Sequence, residues 1–503
     1  MPNWFLIASR DLIAALICLA GIGAAAQDSF RPESQAEPSA GFRPLPPVTE
    51  ELDDLQQQVN ELRAELATMK DNASHGFLAD APAKPPTPEQ QQEAFNKQYD
   101  KARSRLPSVQ INGVFQLDTG FFNQDPVNRA TVGNAVDGID FRRARLSAKG
   151  AVTETVNYFF QMDFAFFGRP TFTDVWLEQT DLPVLGNLRI GQWKQPFSLE
   201  VVSSFRYTTF MERSLLFQTF DPFRHPGVGF YDHSDDLMWT WAASGFGSGQ
   251  DQFGDSAANA QGWGFCERVT HLAWWDDDSN GRGYLHLGAG HYYNAPQNFT
   301  TNFRTIPELY IGQQVAVPNG NQQPIPGNVT GTPFFLQTGA LNLNQFNVVG
   351  AEALFVHGAF SWQTEAMVNY VDQRGGPTVA LPGFYSQVGW FLTGEHRPYD
   401  RKAGAIDRVM PFENFFRVGT DDGVCMGSGA WELAFRVSYL DFTPVNNPIA
   451  GTGGTLTDYT AGVNWYWNPY TKLVFNAVHS DLLNPATGRS QAQGFAARAQ
   501  IDF

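Results

Sequence analysis

The side chains best placed to act on a solute are basic, and they sit at alternating positions in otherwise apolar stretches. In Phe141-Arg142-Arg143-Ala144-Arg145-Leu146, followed by Lys149, a period of two sends Ala144, Leu146 and Ala148 to one face and Arg143, Arg145 and Lys149 to the other. The same rule leaves Arg142 on the apolar face, tolerable only near a rim. Further along, Leu188 and Ile190 oppose Arg189, with Lys194 at the end of that run, and Arg436 and Arg498 face inward by the same argument. A guanidinium keeps its charge and offers planar paired donors that match phosphate and carboxylate. Such a ladder guides anions; it makes and breaks no bonds. Parity also sends Asp163, Asp174, Glu178, Glu432 and Asp502 inward, and a lumen carrying both signs would orient dipolar solutes.

These positions call for strands. Between 494 and 503 the odd residues are Phe495, Ala497, Ala499, Ile501 and Phe503, and the even ones include Arg498, Gln500 and Asp502. That is the length and alternation of a tilted strand crossing a bilayer. The pattern recurs at 456–467, with Tyr459, Ala461, Val463, Trp465 and Trp467 against Asp458, Thr460 and Asn464, and again at 431–439 and 156–166. Sixteen runs are expected, near 109–121, 139–150, 155–167, 172–179, 188–194, 227–233, 237–245, 265–274, 284–293, 346–357, 360–371, 385–395, 431–442, 456–467, 471–480 and 494–503. An even number suits a closed antiparallel barrel, because lipid cannot satisfy an open sheet edge. One connection, 396–430, is long on the side where turns should be short. Either it hides a hairpin or it folds into the lumen.

Composition agrees. Charged residues are 17% of the 503, below the quarter usual in soluble domains, while Phe, Trp and Tyr number 42, 13 and 15. A mean hydropathy of −0.29 excludes a helical membrane protein. The net charge of −17 argues against nucleic acid as a partner.

Ahead of the barrel, 1–26 reads as an export signal: Arg10, an apolar stretch from Leu12 to Ile22, then Ala24-Ala25-Ala26. Cys18 suggests a lipid anchor, but Ile17 stands where a small residue is required. Cys266 and Cys425 would remain, too far apart in sequence for a disulfide framework. Residues 27–47 read as a flexible segment, and 71–107 as a Pro-rich linker. Between them, over 48–70, Leu52, Leu55, Val59, Leu62, Leu66 and Met69 follow heptad spacing, which predicts a coiled-coil helix. Self-association and packing against another protein both stay open. The fold class expected is all-β: a transmembrane antiparallel barrel over 108–503 with an N-terminal coiled-coil segment.

The order of several short runs resembles the phosphate-selective porin O and P family over roughly 108–503. They are Phe141 to Leu146 with Lys149-Gly150, the stretch from Gly191 through Lys194-Gln195-Pro196-Phe197 to Glu200, Met211-Glu212-Arg213, Leu392-Thr393-Gly394-Glu395, and Asn464-Trp465-Tyr466-Trp467-Asn468-Pro469. The resemblance implies a sixteen-stranded homotrimer in the outer membrane, loops folded inward, and lumenal Arg and Lys that guide phosphate or other small anions. The long connection 195–226, with Glu200, Arg206, Glu212, Arg213 and Arg224, is then expected to form an eyelet. Otherwise it is a solvated surface loop. The terminal Phe503 resembles the signal read by the barrel assembly machinery.

Other chemistry lacks the residues it needs. Asp276-Asp277-Asp278-Ser279-Asn280-Gly281 starts like a calcium loop, but Leu287 stands where the chelating Glu belongs, which leaves a polar hairpin turn. His225, His233, His271, His286 and His291 lack ligand spacing, and no nucleophile motif stands out. No catalytic residue, metal or cofactor is therefore expected. Two functions are expected to compete: passive diffusion of small hydrophilic solutes with anion preference, and a structural anchor whose coiled coil grips peptidoglycan.

Overall fold

The computed structural model describes residues 106–165, 170–248, 262–296, 299–311, 332–420, 423–445 and 449–503. The segments 1–26, 27–47 and 48–70, and all but the last two residues of 71–107, lie outside the described residues. Sixteen long strands follow one another. They are β1 (Gln110–Gln124), β2 (Gly138–Ala151), β3 (Val156–Asp163), β4 (Thr171–Leu182), β5 (Gly186–Lys194) and β6 (Arg224–His233). Next come β7 (Trp239–Gly247), β8 (Trp263–Trp275), β9 (Gly283–Ala295), β10 (Leu341–His357) and β11 (Phe360–Gln373). The last five are β12 (Thr378–Phe391), β13 (Ala430–Asp441), β14 (Thr455–Asn468), β15 (Thr471–Asn484) and β16 (Gly488–Asp502). Each pairs antiparallel with the next, and β16 pairs with β1 from Val114↔Asp502 to Gln124↔Ala492, which closes the sheet. Phe503 completes the seam, its N–H donating to Gly113 O at 3.1 Å.

Alternation decides which way each strand faces. On β16, Phe495 and Ile501 are 40% and 48% exposed while Arg498 between them is 2% exposed. Across the barrel the exposed large side chains are apolar, among them Phe115, Leu146, Leu177, Val269, Phe384 and Phe435. The buried ones include Asp118, Arg145, Glu352, Arg436 and Asn464. This is the inverse of a water-soluble protein and the signature of a barrel in lipid, where a charge on the outer wall costs about 2–4 kcal/mol at mid-depth.

Not every inward position is polar. Phe246, Tyr292, Phe346, Leu381, Leu440 and Leu456 face in and pack against Phe197, Leu215, Leu216 and Phe220 of the 195–223 connection. Strict apolar-out, polar-in alternation therefore fails on this arc of the wall. A loop folded into the lumen excludes water there, and burial of its apolar side chains holds it in place.

Two further connections enter the lumen. From the described part of the connection after β9 comes Glu308, whose carboxylate accepts from Arg436 at 2.7 Å, Thr460 at 2.8 Å and Ser438. From the opposite end comes 392–429, the connection that was too long for its side. Both expectations for it hold in part. Its first half folds into the lumen, where Tyr399–Asp400 pairs with Ala405–Ile406, and its second half forms a hairpin of Phe416–Thr420 and Gly423–Gly427. The hairpin does not join the barrel, so the strand count stays even.

Arg397 pins this insertion. Its guanidinium meets Glu432 of β13 and donates to Tyr207 O at 3.0 Å, and all of it is buried. Arg397→Ala leaves the Glu432 charge with only neutral donors, Asn464 and Tyr466 at 2.9 Å each. Breaking a buried pair in this way costs about 3–5 kcal/mol. The expected result is a raised single-channel conductance, with a lower temperature of unfolding in detergent.

Candidate pore constriction

The basic cluster begins with an irregularity in β2. Gln116 of β1 pairs with Arg143 and Leu117 pairs with Phe141, so Arg142 is an extra residue without a partner in the ladder. This β-bulge turns Arg142 and Arg143 to the same side. The expected outward position of Arg142 is thus corrected: it is buried in the lumen, bonded to Glu212 at 2.9 Å and to the Tyr310 hydroxyl. Strict alternation assumes an unbroken ladder. A charge on a lipid-facing strand was the signal that the ladder breaks here.

The guanidiniums of Arg143 and Arg145 both lie over the Phe205 ring, at 4.4 and 4.8 Å from its centroid. Arg145 pairs with Asp163 at 2.7 Å. Arg143 donates to the Gln116 amide at 2.7 Å, and its buried Nε has no hydrogen-bond partner among the described residues.

The loop contributes the rest. Ser198 caps the short helix α1 (Leu199–Val202) by accepting from Val201 N at 3.3 Å. The far end of α1 leaves its carbonyls free, and Lys194 donates to the oxygens of Val201, Val202 and Ser203 at 2.6, 3.1 and 2.9 Å. Arg213 donates to Glu200 O at 2.7 Å and Ser203 O at 2.9 Å. Cations at a helix C-terminus meet the negative end of its carbonyl dipoles, a placement that leaves carboxylates unnecessary. A second helix, α2 (Leu215–Thr219), follows, and Arg224 opens β6 against Asp174 at 2.8 Å.

Arg142, Arg143, Arg145, Lys194, Arg213 and Arg224 line one cavity of about 50 Å³ with Phe205, Phe217, Phe223, Tyr310 and a single carboxylate, Glu212. Burial would raise the Glu212 carboxyl, yet Arg142, Arg498 and Arg143 outweigh it and hold the group below the usual carboxylate range. Burial pushes the Arg213 guanidinium down to about 10, with Glu200 opposing the shift. Asp221 behind the loop is pushed up by burial and by Glu200.

Lys194 also borders a second cavity of about 300 Å³, together with Asp174, Arg189, Tyr231, Thr240, Arg268 and Lys402. The structure thus groups Arg143, Arg145, Lys194, Arg213 and Arg224 at one level and Arg189 below. Arg189 binds Glu178 at 2.5 Å and stacks on Trp176. Arg206 lies apart, 3.6 Å from Asp502, which Arg408 also meets. Arg436 and Arg498 are wall residues that grip the insertions, Arg436 through Glu308 and Arg498 through Glu212 at 2.6 Å, while Asp118 of β1 holds Arg498 from the neighbouring strand at the same distance. Lys149 is exposed near the end of β2, away from the cluster. The inward carboxylates named from sequence are all paired: Asp163, Asp174, Glu178, Glu432 and Asp502 each meet an arginine. Sequence reasoning missed Tyr310, Arg397 and Arg408, because nothing local marks a loop residue that folds into a barrel, and it missed Arg268 of β8, whose place opposite in parity to the outward Phe265 and Val269 was a usable signal.

A closed sixteen-stranded barrel, apolar outside, charged within and narrowed by its own loops, defines a porin of the bacterial outer membrane. The chain belongs to the phosphate-selective porin O and P family, whose model matches residues 109–503. It is 24% identical to Porin O of Pseudomonas aeruginosa over 418 residues, which covers 79% of this chain and 88% of that one. An uncharacterized protein of Caulobacter vibrioides is 23% identical over 492 residues, covering 92% and 88%. Among solved structures, the anion-selective porin from Comamonas acidovorans matches with a TM-score of 0.48 at 10% identity, covering 79% of this chain and 99% of that one. The outer membrane channel DcaP of Acinetobacter baumannii matches at 0.45 and 11% identity, covering 79% and 97%.

Proposed function

We propose that this porin passes small hydrophilic anions, phosphate among them, along the Arg142, Arg143, Arg145, Lys194, Arg213 and Arg224 cluster and then past Arg189, Arg268 and Lys402. The observation that carries this reading is Arg143, a buried guanidinium that forms no ion pair with a carboxylate among the described residues and has an unpartnered Nε in the wall of the cavity. Lys194 and Arg213 support it, since carbonyls satisfy them without cancelling their charge. The carboxylates that spoke for a mixed field are spent on ion pairs with Arg145, Arg224 and Arg189, which leaves the cavity with an excess of positive charge. Fixed cations at a constriction favour anions by direct attraction, and a dry wall strengthens it. Lys149, Arg206, Arg436 and Arg498 have lesser parts in this scheme: the first two at the periplasmic end, the others as anchors of the insertions. The name of the family and the paired donors of the guanidiniums both favour phosphate. We also assign the chain to homotrimers, recognised during assembly through Phe503.

Planar-bilayer recording tests this. A potassium chloride gradient should give a zero-current potential of the sign set by chloride. Added phosphate should saturate its own current and reduce that of chloride. A cation-selective potential, or phosphate current that rises in proportion to concentration without limit, would refute the proposal.

A further inference from the structure

The connection 392–429 does not end inside the barrel. Val409 is buried with Phe391, Ala430 and Tyr466, and the chain then passes under the lip to the outer wall. There Phe415 N donates to Trp467 O at 2.6 Å, and the Phe415 ring meets Trp465 edge-on at 4.6 Å and Trp467 at 5.3 Å. Trp465 Nε1 in turn donates to Ser428 O at 2.9 Å and stacks on Trp431 at 4.8 Å. Trp431 and Trp465 occupy outward positions at the end of β13 and β14 from which β14 turns into β15 through 469–470, one of the short connections that mark the periplasmic end. Tryptophans at such positions mark the level of the lipid headgroups.

The hairpin Phe416–Thr420/Gly423–Gly427 springs from that level. In its register Arg417 stands opposite Met426 and Gly419 opposite Val424, so these share one face. Val424 and Met426 are 67% and 69% exposed, and Phe412 just before the hairpin is 62% exposed. Phe416 and Met410 are exposed as well. Such a group of large apolar side chains, on a two-stranded ribbon too small to have a core, is expected to be covered by something. Its continuity with the tryptophan girdle identifies the cover.

We propose that this hairpin is an interfacial anchor that lies in the periplasmic leaflet of the outer membrane. Val424, Met426 and Phe412 would enter the boundary between headgroups and acyl chains, and Arg417, on the same face as Val424 and Met426, would reach lipid phosphate. Because the hairpin continues from the segment that Arg397 pins in the lumen, the anchor holds that insertion at its outer end as well.

The test uses the full chain, folded and reconstituted in vesicles of phosphatidylethanolamine and phosphatidylglycerol. Cys18 and Cys425 are changed to Ser, and an environment-sensitive fluorophore is placed on Val424→Cys or, as a control on an exposed turn, on Asp235→Cys. Barrel folding is verified by heat-modifiable gel mobility. Spin-labelled lipid with its nitroxide near the headgroup should quench the Val424→Cys label about twofold or more over lipid labelled deep in the chain, while the control stays unquenched. Equal quenching at the two sites overturns the proposal. So does disulfide crosslinking between protomers through Met426→Cys without lipid quenching, since that would make the patch a contact between copies of this chain.

Discussion

Arg143→Ala raises the phosphate concentration that half-saturates the channel current by about tenfold or more, with little change in stability. Hydrogen bonds from a charged group to an anion contribute about 1.5–3 kcal/mol, and 1.4 kcal/mol is a factor of ten. The stability of the barrel is spared because Arg143 forms no ion pair with a carboxylate; Gln116 loses one partner, and its amide nitrogen still donates to the Gln500 amide oxygen at 2.6 Å. Arg145→Ala provides the contrast, since it strands Asp163, which Arg145 holds at 2.7 Å. The two variants therefore separate charge that faces solute from charge that holds the wall. Equal half-saturation in wild type and Arg143→Ala would place the anion path elsewhere.

Glu212→Ala has the larger structural effect. Its carboxylate joins the loop to two strands, taking Arg142 of β2 at 2.9 Å and Arg498 of β16 at 2.6 Å. Removing it leaves Arg142 without its carboxylate partner and adds repulsion within the cluster, a loss of about 3–5 kcal/mol. The expected result is a lower unfolding temperature and a wider, noisier conductance as the 195–223 connection loosens. The pH dependence has a definite sign. The carboxyl is held below its unfolded value near 4.3, so its contribution is complete above that pH and is lost only as pH falls through the lower folded value. The stability lost in Glu212→Ala should be the same at pH 5 and at pH 7.5, and should shrink only in more acid solution. A loss that differs between those two pH values would show that Glu212 is not held in this way.

Much of this was legible in the chain itself. All sixteen runs became strands in the expected order, most within a few residues of their expected bounds, because a lipid outside and a polar lumen inside impose a period of two that local sequence must carry. The inward faces of Arg143, Arg145, Arg189, Arg436 and Arg498 followed from the same rhythm. It failed at Arg142, where the ladder slips by one residue, and on the arc containing Phe346 and Leu440, where an inserted loop replaces water. It was silent about which acids pair with which bases: Asp118 and Arg498 are 380 residues apart and meet only through closure of the sheet.

What the sequence determined by itself was therefore the barrel, its strand number and the side each strand residue takes, since those depend on neighbours two positions away. What only the tertiary structure decided was the bore. Whether a cation is spent on a carboxylate or left facing the cavity depends on contacts between the wall and three inserted connections. Those contacts arise from chain closure and packing over hundreds of residues, and no local pattern records them.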